Sequence, residues 1–285
     1  MRGFRPFPML AAPAPRLRAR PREPPMRRSS LACLALLLCC AVGRSAEAPV
    51  EVDVALVLAV DVSLSMTAEE QLVQRSGYVE AFRSAVVQRA VGLGQIGRIA
   101  VTYVEWAGVG NQRVVVPWTL IGSPEEAASF AERLAQSPPR RSTWTSIASA
   151  IDFSVGLLSH GGFAPLRRVI DVSGDGPNNQ GRPVTRARDD AVDRGITING
   201  LPLMIREPSG PWDIKDLDLY YRDCVIGGPG SFMIPVRERE QFAEAIRVKI
   251  VREVAERGAA APLRRTQAAS PTNCLVGDRP SPDWD

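Results

Sequence analysis

The stretch richest in chemistry is Asp61-x-Ser63-x-Ser65, in which one carboxylate and two hydroxyls alternate over five residues. A tight loop can turn all three toward one point. Two further sets of oxygen side chains follow: Thr143 and Thr145, then Asp175 within Ser173-Gly174-Asp175-Gly176. Oxygen-only donors suit hard cations such as Mg²⁺, Ca²⁺ or Mn²⁺. Each residue also has a plainer reading. Asp61, Ser63 or Ser65 can cap a helix, and Asp175 between two glycines suits an ordinary turn.

The elements around these residues decide whether they can meet. Val54–Val60 is an unbroken apolar run, which predicts a strand over Val52–Val60 buried on both faces. Asp61 stands at its carboxyl end, where open α/β sheets hold ligands. Thr67-Ala68-Glu69-Glu70 has the form of a capping box, so a helix is expected from Ala68. Leu72, Ser76, Val79, Phe82, Val86 and Ala90 carry it to Val91 at helical spacing. Ile99–Val104 and Arg113–Trp118 read as strands joined by the short polar loop Gly108–Asn111, an antiparallel hairpin at the sheet edge. A helix capped by Ser123 runs to Gln136. Another follows Thr145, with Ile147, Ile151, Val155 and Leu158 on one face. Arg168–Ser173 is a fourth strand and Ile196–Leu203 a fifth, separated by a helix over Pro183–Arg194. A short helix over Asp213–Tyr221, a last strand over Phe232–Val236 and an amphipathic helix over Arg237–Val254 complete the pattern. Strands alternating with helices predict a Rossmann-like α/β fold, with a mostly parallel central sheet, one antiparallel edge strand and helices on both faces. Such a sheet gathers its strand-end loops at one edge. The Asp61 and Asp175 loops can meet there, and the threonine loop reaches the same rim by opening a helix.

Asp61-x-Ser63-x-Ser65, the later threonine, and Asp175-Gly176 after an apolar strand together resemble the metal-ion-dependent adhesion site of von Willebrand factor type A domains. The resemblance covers about residues 50–256. Val169–Asn179 and Tyr220–Gly230 are similar to an exported bacterial subfamily of unassigned function. The resemblance implies a divalent ion, usually Mg²⁺ with Mn²⁺ or Ca²⁺ as substitutes. Ser63 and Ser65 would bind it directly, Thr145 directly or through water, and Asp61 and Asp175 mostly through water. An open coordination position would take an Asp or Glu of a protein partner. One departure stands out: the family usually carries Thr or Ser before the second Asp, and here Gly174 holds that place. Thr145 is preferred to Thr143 because it abuts the helix start.

Composition bounds the rest. The 285-residue chain has a net charge of +4, but residues 1–45 hold nine arginines against one acid and carry +8, so the remainder carries −4. An acidic body lacks the basic footprint of a nucleic-acid binder. Met26-Arg27-Arg28, the apolar Leu31–Val42 and small residues to Ala48 have the layout of a secretory signal. Residues 1–45 are therefore expected to be an extension and signal peptide with the true start at Met26. Residues 46–257 are the expected domain and 258–285 a disordered tail. The mature chain would be periplasmic or extracellular, with no other apolar run long enough to span a bilayer. Three of the five cysteines leave with the signal; Cys224 and Cys274 remain, as a pair or as two thiols. No Gly-x-Ser-x-Gly elbow or phosphate loop is present, and His160 is the sole histidine. These features favour an exported binding module over a metal-dependent hydrolase. A structural envelope protein with an inactive metal site is the other alternative.

Overall fold

A computed structural model describes residues 48–138, 140–208, 213–255 and 272–277. The expected extension and signal segment lie outside the described residues, as does most of the expected tail.

Five strands form one sheet: β1 (Val50–Asp61), β2 (Ile99–Trp106), β3 (Gln112–Ile121), β4 (Phe163–Gly174) and β5 (Ile196–Pro202). Their order is β3-β2-β1-β4-β5, and only β3 runs antiparallel. The chain moves outward from β1 to β2 and β3, then returns to the other side of β1 with β4. The topological switch point therefore lies between β1 and β4, the usual ligand edge of such a sheet. Alternation along β1 sends Val54, Leu56, Leu58 and Val60 into one core, shared with α1 (Ala68–Arg83), α2 (Ala85–Gly92), α3 (Pro124–Gln136) and α7 (Phe242–Ala255). The opposite face packs against α4 (Ile147–His160), α5 (Val184–Asp193), α6 (Leu217–Tyr220) and a π-type turn, Tyr221–Val225. With both faces covered, β1 reads as one apolar run.

The Thr67 box forms as expected. Thr67 Oγ1 accepts from the Glu70 amide at 3.1 Å, and Glu70 accepts from the Thr67 amide at 2.7 Å. Three expectations need correction. The first helix is two helices, because Ser84 turns extended (ψ 134°) and caps α2 by accepting from the Val87 amide. The break changes the phase and leaves Val86 exposed, while Leu72 is exposed because α1 turns a partly polar face with Gln71, Gln74 and Tyr78 to the core instead. Phe232–Val236 is not a sixth strand. It lies along β5 through isolated bridges at Met233 and Val236, since Pro202 and Pro235 cannot donate to a continuous ladder. The last helix starts at Phe242, after a 3-10 turn at Arg239–Gln241.

Within the expected tail, residues 272–277 form a turn joined to the body by a Cys224–Cys274 disulfide. Thr272 bonds the Asp223 carboxylate. Gly277 lies so close to the Asn178 carbonyl oxygen that no Cβ would fit there. The turn thus straps the loop that follows β4.

Candidate metal centre

Residues 61–65 and 174–179 leave neighbouring strands at the switch point. The β1–β4 register pairs Val60 with Ser173, so Asp61 and Gly174 emerge level. From there a chain of oxygens forms. Asp61 Oδ1 accepts from the Ser63 amide at 2.6 Å. The Ser63 and Ser65 hydroxyls are 2.7 Å apart, and Ser65 donates to Asp175 Oδ1 at 2.6 Å. Four of the five expected residues are joined in this way. Helix α1 takes its cap from Thr67, so none of Asp61, Ser63 and Ser65 serves as a helix cap.

Thr145 reaches the same rim through its backbone. Its amide donates to Asn179 Oδ1 and its carbonyl accepts from the Asn179 amide, both at 2.8 Å. Ser142 bridges to Ser63 alongside. Thr145 is buried and Thr143 is exposed. Among the described residues the Thr145 hydroxyl has no hydrogen bond to the other four. Asn178 makes a second tie, accepting from the Ala148 amide at the start of α4 at 3.0 Å.

Asp61 is fully buried, and its Oδ2 has no hydrogen-bond partner among the described residues. Burial, then the charge of Asp175, pushes the Asp61 carboxyl well above the usual carboxylate range. Asp175 is raised as well, by burial first, while its bonds from Ser65 and Arg206 pull it back. Two buried carboxylates that resist ionising side by side form a place where a cation is welcome. No group of three or more His, Cys, Asp or Glu that could itself hold a metal ion occurs among the described residues. The donor set is therefore two carboxylates plus hydroxyls, which fits a hard divalent ion that keeps several waters.

Two neighbours were invisible at the level of pattern. Arg206 donates to Asp175 Oδ2 at 3.0 Å, bonds the Ser65 carbonyl and pairs with Glu70 at 3.2 Å. It borders a cleft of about 350 Å³ that Met66, Asp175, Lys215 and Arg237 also line. Asp61 and Tyr221 together account for the departure at position 174. A Cβ there would stand 2.9 Å from Asp61 Oδ2 and 3.0 Å from the Tyr221 hydroxyl, so Thr or Ser does not fit without displacing one of them. Only the Asn178-Asn179 pair, directly after the Asp175 turn, left a trace in the sequence.

Leu64, Val109 and Trp144, on the three loops around these oxygens, are each about half exposed. Trp144 holds a left-handed backbone (φ 67°), uncommon for a non-glycine residue and often found at functional sites.

The fold is that of von Willebrand factor type A domains. A structure of proximal thread matrix protein 1 from the mussel byssus, with a zinc-occupied metal-ion-dependent adhesion motif, is similar at TM-score 0.50 and 12% identity, covering 73% of this chain and 49% of that one. A von Willebrand factor type A protein from Catenulispora acidiphila is similar at TM-score 0.50 and 13% identity, covering 72% and 43%. The pilus adhesin SpaC from Lactobacillus rhamnosus GG is similar at TM-score 0.54 and 12% identity, covering 73% and 30%. The chain thus spans half or less of each protein's length, and at these identities the likeness speaks for the fold. No curated protein matches the chain. Residues 51–258 match the family described as protein of unknown function DUF1194, and the chain belongs to that family.

Proposed function

We propose that this protein is an exported binding module that holds a divalent cation, Mg²⁺ by preference, and presents it to a carboxylate of a protein partner. Ser63 and Ser65 would hold the ion directly. Thr145 would do so directly or through water, and Asp61 and Asp175 mostly through water. The observation that carries the reading is the buried, unpartnered Asp61 Oδ2 at one end of the Ser63–Ser65–Asp175 oxygen chain. The ion would supply a charge that attracts an outside anion. The protein's own part is to orient five oxygen side chains on loops tied by Asn178 and Asn179. The half-exposed Leu64, Val109 and Trp144 would give a partner an apolar rim to cover.

A binding role is favoured over hydrolysis. The sole histidine, His160, ends α4, whose first turn adjoins Thr145. A helix of 14 residues places the imidazole about 20 Å from the site, too far to activate Ser63 or Ser65. The Cys224–Cys274 disulfide agrees with an oxidising, exported setting.

Calorimetric titration of the protein with Mg²⁺ tests the reading, with Asp61→Ala and Ser63→Ala in parallel. Saturable binding by the wild type, lost in both variants, is the expected result. It would be followed by partner capture with and without chelator. A folded wild type that takes up no Mg²⁺, Mn²⁺ or Ca²⁺ would leave a structural protein with an inactive site.

A further inference from the structure

The loop that offers the Ser63 and Ser65 hydroxyls also carries backbone carbonyls, and from Val62 to Thr67 each of them already accepts a hydrogen bond. Val62 takes the Ser142 amide at 3.0 Å, Ser63 the Met66 amide at 3.2 Å and Thr67 the Gln71 amide at 3.1 Å. The other three are taken by arginines from two separate segments. Arg141, before α4, gives one nitrogen, Nη2, to both the Leu64 carbonyl at 3.1 Å and the Met66 carbonyl at 2.6 Å. Arg206, after β5, gives Nη2 to the Ser65 carbonyl and to Asp175 Oδ2, the latter at 3.0 Å. Its Nε pairs with Glu70 at 3.2 Å, a carboxylate that the Thr67 capping box fixes in turn. Asp175 is thereby engaged at both oxygens, since Oδ1 accepts from Ser65. Neither arginine serves the core: Arg141 is exposed, and the Arg206 side chain is 48% exposed.

These bonds bear on which ion the site would hold. Ca²⁺ takes six to eight oxygens, among them backbone carbonyls and carboxylates bound through both oxygens, whereas Mg²⁺ takes six and keeps several of them as water. A carbonyl has a second lone pair, so a hydrogen bond alone would not bar an ion. The charge of the donor does. An ion on the Leu64 or Met66 carbonyl, at a metal–oxygen distance of about 2.3–2.6 Å, would lie within roughly 6 Å of a guanidinium nitrogen. Two cations that close in a partly buried place repel each other strongly. We propose that Arg141 and Arg206 are specificity-determining residues of the metal centre. They withhold three carbonyls and the second Asp175 oxygen, leaving the ion hydroxyls, single carboxylate oxygens and water, a shell that suits Mg²⁺ and is too sparse for Ca²⁺. The inference rests on the metal-binding reading above and adds the reason for one ion over another.

Calorimetry on the full chain with Mg²⁺ and with Ca²⁺ tests this, for wild type, Arg141→Met, Arg206→Met and Arg141→Lys. The wild type is expected to bind Mg²⁺ the more tightly. Each Met variant is expected to move the ratio of Ca²⁺ to Mg²⁺ affinity about tenfold toward Ca²⁺, the size of effect that groups around metal ligands exert. A loop that is merely loosened would weaken both ions and leave the ratio alone. Arg141→Lys keeps a cation and its donors at that place and is expected to hold the ratio within about threefold of wild type. A ratio within about twofold of wild type in a Met variant overturns the role of that arginine. A Lys variant that shifts as far as Arg141→Met overturns it for Arg141, and a wild type that binds Ca²⁺ as tightly as Mg²⁺ overturns it for both. A folded wild type that binds neither ion overturns the metal-binding reading and this inference with it, whereas an unmoved ratio overturns the inference alone.

Discussion

Strand β1 carries two buried aspartates, one toward each end, and their surroundings differ completely. Asp53 accepts the amides of Ile96, Gly97 and Arg98 at 2.9, 2.8 and 3.2 Å. Gly94 lies so close that a Cβ there would collide with the carboxylate. Asp53 is satisfied, and it ties the loop before β2 to the sheet. Asp61 accepts the Ser63 amide, draws weaker support from the Ser63 hydroxyl and the Asp175 amide, keeps one oxygen without a well-formed bond, and faces a second, nearly buried carboxylate. A buried charge with three donors is architecture; a buried charge left short of donors awaits a ligand. One residue type on one strand thus marks a structural end and the candidate-site end of the same sheet.

The sharpest way to break this comparison is to exchange the consequences. Asp53→Ala should cost about 3 kcal/mol or more in urea unfolding, since three amides lose their acceptor, and should leave Mg²⁺ affinity within about twofold of wild type. Asp61→Asn should do the reverse, with no measurable Mg²⁺ binding and metal-free stability equal to or above wild type. Matching stability losses in both variants would erase the distinction between the two ends.

A third buried aspartate sharpens it further. Asp171 lies 2.6 Å from Lys249 Nζ, which also pairs with Glu253, and Asn199 donates to Glu253 at 3.0 Å. Burial, then the charge of Glu253, raises Asp171 to about 7 in spite of Lys249. The folded state therefore holds this proton more tightly than the unfolded chain does. Stability from this group is full below the ordinary carboxylate range near 4 and is lost as pH climbs toward 7. The wild type should weaken by a few kcal/mol over that window, and Asp171→Asn should flatten its share of the slope. Asn179→Ala, which unties the threonine loop from the Asp175 loop, should cost about 1–2 kcal/mol and weaken Mg²⁺ about tenfold. The smallest effect is expected at Trp144. Trp144→Gly removes a left-handed strain and should stabilise by about 0.5 kcal/mol, with Mg²⁺ affinity unchanged.

The sheet was legible because β1 is apolar on both faces and α1 and α3 announce themselves with capping boxes. The oxygen set was legible because Asp61, Ser63 and Ser65 follow one strand at alternate positions. What escaped depended on groups far apart in the chain. Arg206 lies in an irregular segment with no period to place it, and Tyr221 reads from sequence only as the end of a short helix and part of the Tyr220–Gly230 stretch, with no role at the site. Gly174 was visible as a departure, but its cause, the Asp61 carboxylate and a phenol 47 residues away crowding the same point, exists only in the fold. Gln74 shows the same limit. It is buried in α1 and donates to Ser173 on β4 at 2.8 Å, so the inner face of that helix is partly polar and its periodicity misleads.

The disulfide strap gives the molecule an order of events. Its second cysteine lies 50 residues after the first, beyond the last described helix, so the bond can close only after everything from β1 to Cys274 has been made. While thiols are kept reduced, the Asp175 loop has no covalent brace behind Asn178. Oxidation supplies it, so the covalent brace behind the candidate site forms only where thiols are not kept reduced.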